Sequence, residues 1–171
     1  MTTVQSLGRD EYDSYFYKYL SLNEPNKNIF ETLEYSLQQT LNFLDDLKTD
    51  LDYRYLPDKW SVAEVLMHNI DTERIFQYRA LRFLRGDKSE LAGFDQDVFV
   101  ENLKEHAFAK ADIKKSFSIT RASTIDIFKG ASEDRLKNKG KASGKVMSAR
   151  VIPFLIAGHN KHHENIIKER Y

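Results

Sequence analysis

Ser61-Val62-Ala63-Glu64-Val65-Leu66-Met67-His68 is the stretch on which the reading of this 171-residue chain turns. Ser61 and Glu64 form a capping-box pattern, in which each side chain satisfies a free backbone donor at the start of a helix. A helix is therefore predicted to begin near Ser61. It runs to about Arg85 and stops at Gly86-Asp87. Val62, Val65, Phe76, Ala80 and Phe83 fall on its inner stripe.

Three further helices follow from the same logic. Upstream, after Pro25, Ile29, Phe30, Leu33, Leu37, Leu41, Leu44 and Leu47 recur at spacings of three and four, giving a helix through about Asp46. Leu51 to Trp60 is the connection, with Pro57 and Asp58 as turn residues. Downstream, Ile113, Phe117, Thr124 and Phe128 mark the inner face of a helix over roughly Asp112–Lys129, with Gly130 as its stop. The last helix covers about Ile152–Arg170. Pro153 belongs in its first turn or marks a kink, because an interior proline forfeits a hydrogen bond.

The remaining segments are less patterned. Glu11–Leu22 is tyrosine-rich and reads as a short helix or a clasp. Gly93-Phe94-Asp95-Gln96-Asp97 reads as a loop leading into a short helix around Val98–Glu105. Gly130–Ser148, with three glycines and several lysines, reads as a mobile loop. No strand and no internal repeat is expected. The fold class is an all-α four-helix bundle in one domain spanning 1–171, with residues 1–25 as an extension packed on it.

Lys+Arg and Asp+Glu both total 26, so the formal net charge is zero. Neither a basic field for nucleic acid nor an acidic tail is present. The absence of cysteine excludes disulfides, zinc knuckles and a thiol nucleophile carried by the chain. The first ten residues lack the apolar core of a signal peptide, and the apolar run Val151–Ala157 is too short to span a bilayer. A cytoplasmic protein with no membrane partner is expected.

His159 and His163, in Gly158-His159-Asn160-Lys161-His162-His163, stand one helical turn apart and face the same way. Such a pair can share one small cation. It can equally be a pair of core-edge histidines with ordinary hydrogen-bond partners. His68, on another helix, could supply a third imidazole across a groove, or be a polar boundary residue beside Thr72 and Arg79. His162 lies on the flank of the last helix, and His106 is assigned no role.

Competing motifs fail. Asn160 follows His159, so the His-Glu-x-x-His glutamate is missing. Glu-x-x-His occurs nowhere, which argues against a di-iron carboxylate bundle. Gly-x-Gly-x-x-Gly, a Walker loop and Gly-x-Ser-x-Gly are also absent.

The segment Lys59 to His68, followed by Asp71-Thr72-Glu73-Arg74 and Tyr78-Arg79-Ala80-Leu81, resembles the DinB/YfiT-like family. Gly93–Asp97 and Gly158–His163 extend the likeness, which covers the chain from about Asn26 onward. The resemblance implies an up-down four-helix bundle, often a homodimer, holding a divalent metal on three histidines. Those ligands fall on His68, His159 and His163. Relatives include transferases joining low-molecular-weight thiols such as bacillithiol to electrophiles, and a mycothiol-dependent maleylpyruvate isomerase. Membership therefore implies a site more firmly than a reaction.

A divalent metal on three imidazoles keeps a position for water or substrate, and zinc, nickel, manganese or iron would each accept the site. Activated water gives hydrolysis, whereas a coordinated small thiol gives S-transfer. The alternative is a non-catalytic dimeric bundle that binds a metal or small ligand. Asp71 and Glu73 could orient an imidazole or a bound water, but with Arg74 and Arg79 they read first as helix-surface ion pairs. Arg121 is expected to pair with a carboxylate in the interior or to hold an acidic substrate. Arg135 and Lys137, Lys139, Lys141 and Lys145 make the late loop basic, either simply solvated or an anion-attracting rim.

Overall fold

The computed structural model describes residues 1–103 and 108–171. Three short 3₁₀ turns lead into a single helical turn, α1 (Tyr17–Leu20). Asn28 then caps α2 (Ile29–Asp46): its side chain accepts from Phe30 N and Glu31 N, while Asn28 N donates to the Glu31 carboxylate. The box expected at Ser61 is present at the head of α3 (Val62–Leu84), where Glu64 N donates to Ser61 Oγ and Ser61 N to Glu64 Oε2. Asp95 caps the short α4 (Gln96–Glu101). The far end of the expected Val98–Glu105 helix, and His106, lie outside the described residues.

α5 (Lys110–Phe128) is followed by α6 (Glu133–Leu136), strands β1 (Lys139–Ala142) and β2 (Lys145–Ser148), and α7 (Ile152–Arg170). Pro153 sits in the first turn of α7, where its missing N–H costs nothing.

The long helices pack in the cyclic order α2, α7, α3, α5. The C-terminal half of α2 shares one apolar cluster with the N-terminal halves of α3 and α5 and with Ile167 of α7. Ile29 and Leu33 share the other with Phe83, Phe128 and the start of α7. The helices therefore run up, down, down, up in chain order, which is more specific than plain alternation. The long connection through α4 carries the chain back so that α3 and α5 lie parallel.

Three sequence expectations change. Phe30, placed on the inner stripe of α2, is exposed, and Thr32, Thr40 and Phe43 are buried instead. The expected mobile loop holds α6 and an antiparallel hairpin, closed by Ser143 and Gly144 with φ of 53° and 73°. Two consecutive left-handed residues match the right-handed strand twist of a tight hairpin. Its lysines are not a free rim, because Lys139, Lys141 and Lys145 pair with Asp10, Glu90 and Asp13. Isolated bridges Tyr12–Met147 and Leu91–Ala142 tie the hairpin to the rest of the chain.

Glu73 and Arg79, expected on the helix surface, are both buried. Only Asp71–Arg74 is a surface pair, at 2.9 Å. Among the described residues, no helix is long and apolar enough to cross a membrane.

Candidate metal centre

Between the two apolar clusters the bundle carries a polar layer. Arg121, fully buried, donates through Nε to Glu73 Oε1 at 2.8 Å, through one terminal nitrogen to Glu73 Oε2 at 3.0 Å, and through the other to the Leu33 carbonyl. Thr124 donates to the same Glu73 carboxylate, and Thr40 Oγ1 donates to Glu164 at 2.6 Å. The interior pairing expected for Arg121 is therefore what forms, and it occupies Glu73. Asp71 pairs with Arg74, and among the described residues neither acid hydrogen-bonds an imidazole.

The antiparallel packing of α3 on α7 brings His68 opposite His159 and His163 at this level. Ring centroids are 5.0 Å apart for His68–His159, 4.9 Å for His68–His163 and 4.6 Å for His159–His163. The Nε2 atoms of His68 and His159 are 3.3 Å apart, and one ring nitrogen from each of the three histidines lies within 4.8 Å of the others. Two nitrogens bound to one zinc ion at tetrahedral angles would be about 3.4 Å apart. The His68–His159 spacing matches that value.

Burial sets the electrostatics. It lowers His68 to about 4 and His163 to about 3, the latter helped by the charges of His68, His162 and Lys18. His159 is pushed well below its ordinary value by burial first and then by His163 and His68. All three imidazoles are thus neutral at pH 7, the state in which a ring nitrogen can donate to a metal. Geometry and donor chemistry both fit a divalent cation.

Two aromatic walls close the cluster, and sequence reasoning found neither. Tyr19 of α1 meets His159 edge-on at 5.3 Å and His162 at 5.5 Å. This approach requires Gly158, because a Cβ there would stand 2.0 Å from the Tyr19 carbonyl oxygen. Trp60, just before the cap of α3, tilts against His68 at 4.9 Å. Neither residue belongs to a periodic stripe, so only its spatial neighbours reveal it. His162 flanks the cluster and is not one of the three converging residues.

The family model of the DinB superfamily matches residues 32–167. The chain belongs to the DinB superfamily. That span contains all three converging histidines and leaves the Tyr19 wall outside it. Among solved structures, this DinB chain is similar to YfiT from Bacillus subtilis, described as a probable metal-dependent hydrolase with an unusual four-helix bundle topology. The TM-score is 0.67 at 14% identity, over 95% of this chain and 90% of YfiT, so the likeness is one of fold. None of the curated proteins compared matches this DinB chain.

Proposed function

We propose that the protein is a divalent-metal-dependent enzyme that uses His68, His159 and His163 as ligands and acts on a small electrophile with either a low-molecular-weight thiol or water. The convergence of three neutral imidazoles from two helices, His68 and His159 buried and His163 half-buried, carries this reading. Burying His68 and His159 and half-burying His163 costs free energy that a shared cation would offset. The description of YfiT as a probable metal-dependent hydrolase agrees with it.

A bound divalent ion would supply Lewis acidity, lowering the pKa of a bound water toward about 7 or deprotonating a bound thiol. The chain's own groups do the rest. His68, His159 and His163 supply nitrogen lone pairs without a proton to displace at neutral pH. Tyr19 and Trp60 cover the flanks of the rings and limit access of bulk water. With no cysteine in the chain, any thiol must come from solution.

Elemental analysis of untagged protein tests the site, comparing wild type with His68→Ala and His163→Ala. About one metal per chain, lost in both variants while helicity survives, is the expected result. Metal content indifferent to both changes would overturn the reading. Consumption of an electrophile with and without an added small thiol then separates S-transfer from hydrolysis.

A further inference from the structure

Arg79 is a buried cation with no anion. It is only 6% exposed, yet among the described residues no carboxylate pairs with it. Its one hydrogen bond goes from a terminal nitrogen to the Ser143 hydroxyl at the hairpin tip, 2.8 Å away. The guanidinium lies over the Phe76 ring at 5.3 Å. An arginine carries five donors and stays charged at neutral pH, so this arrangement leaves most of them without a protein acceptor. Burying an uncompensated charge is unfavourable. The contrast is with Arg121, fully buried but bidentate on Glu73.

The position of Arg79 bears on the histidine cluster. It follows His68 by eleven residues, three turns along the same face of α3, a rise of about 16 Å. Side chains on a helix lean toward its N-terminus, and the contact with Phe76 shows that Arg79 does so, toward His68. Thr72 lies on this face between them. It is 7% exposed, and its hydroxyl has no partner. The stripe from His68 to Arg79 thus carries a buried hydroxyl with no partner and a buried guanidinium with no carboxylate among the described residues.

A chain of ring contacts links the hairpin to the histidine cluster. The hairpin that presents Ser143 also places Lys145 over the Tyr15 ring at 4.5 Å. Tyr15 adjoins Tyr19, which covers His159.

We propose that Arg79, with Thr72, forms the oxyanion-binding end of the substrate site whose other end is the three-histidine cluster. The ligand is a small molecule bearing a carboxylate or phosphate about two to three helical turns from its reacting atom. Arg79 holds the oxyanion by paired N–H donors, and the Thr72 hydroxyl contacts the middle of the molecule. The inference rests on the metal-enzyme reading only for the reacting end. The anion subsite itself needs no metal.

Calorimetric titration of glutarate, and separately of inorganic phosphate, tests this on metal-free and zinc-loaded protein. Wild type, Arg79→Lys, Arg79→Gln, Thr72→Val and the surface control Arg74→Gln are compared. At least one probe should bind metal-free wild type, weaken tenfold or more in Arg79→Gln, and weaken less in Arg79→Lys. Thr72→Val should weaken glutarate a few-fold and leave phosphate unchanged, and Arg74→Gln should leave both unchanged. Whichever probe binds identifies the oxyanion as carboxylate or phosphate.

Melting temperature gives a second readout. An uncompensated Arg79 should be replaceable by Gln without loss of stability. Failure of both probes to bind, equal binding in Arg79→Gln, or a lowered melting temperature with binding intact would overturn the inference. Arg79-dependent binding in a protein that takes up no metal would support the subsite and sink the metal-enzyme reading. Metal uptake that depends on the histidines, without Arg79-dependent binding, would do the reverse.

Discussion

Arg121 and Glu73 form a bidentate ion pair at the centre of the bundle, with side chains only 0% and 1% exposed. The pair bridges α3 and α5, and its third contact, to the Leu33 carbonyl, reaches α2. Removing one partner leaves the other charge buried and alone. Arg121→Met is therefore expected to destabilise the protein by about 3–5 kcal/mol. The double change Arg121→Met with Glu73→Leu should recover much of that loss. Denaturant midpoints of wild type and the two variants measure the difference, and a double variant no better than the single would show that the charge pair is not the source.

Acid stability should report on Glu11. Burial pushes its carboxyl up, but donors from Arg150, Gly8 N and Ser148 outweigh this and hold it at about 2 against an ordinary 4.5. A depressed carboxylate contributes stability that is fully present above pH 4.5 and is lost as pH falls toward 2. The shift corresponds to roughly 3 kcal/mol. Glu11→Gln should lower stability at pH 7 by an amount of that order and flatten the dependence between pH 4.5 and 2, as followed by urea unfolding.

Gly158→Ala tests the seat of the tyrosine wall. The new methyl would meet backbone, the Tyr19 carbonyl, which cannot swing aside as a side chain would. Overpacking of this kind costs about 1–3 kcal/mol. The α1 segment should lift from α7, seen as a lowered melting temperature and a change in near-ultraviolet circular dichroism from the tyrosines. Unchanged spectra and stability would show that α1 is not held there.

Gly140→Ala probes the hairpin in the same way. Its Cβ would fall 1.9 Å from the Phe83 ring, in the packed interior. Destabilisation of about 1–3 kcal/mol is expected. Amide exchange should rise in β1 and β2, and protection identical to wild type would contradict the close strand-to-helix contact.

Added zinc should raise the melting temperature of wild type, since a ligand that binds only the folded state stabilises it by mass action. The same addition should do little to His68→Ala or His159→Ala. Equal shifts in all three proteins would point to binding elsewhere.

Local patterns carried a large part of this structure. The capping box at Ser61, the stops at Gly86 and Gly130, and the position of Pro153 are all realised near where the residues placed them. Each depends on backbone donors and dihedrals within a few residues, so neighbours in sequence suffice. The pairing of His159 with His163 was legible for the same reason, being one turn of one helix. The hairpin was missed because its lysines and glycines mask the alternation that marks a strand. Its turn instead depends on Ser143 adopting a left-handed conformation that serine seldom takes.

By itself the sequence determined four helices, the cap at Ser61 and most of their inner faces, and three histidines whose family likeness placed them in one set. The tertiary structure decided the up-down-down-up course of the bundle and the burial of Glu73 against Arg121. It also decided the convergence of His68 on α7, the cover by Tyr19 and Trp60, and the isolation of Arg79. The physical reason lies in range. Helix periodicity fixes which face a residue occupies, but a charge placed near a stripe is solvated, paired or stranded according to what the opposing helix presents. That depends on contacts between residues dozens of positions apart, such as Glu73 with Arg121 and His68 with His159.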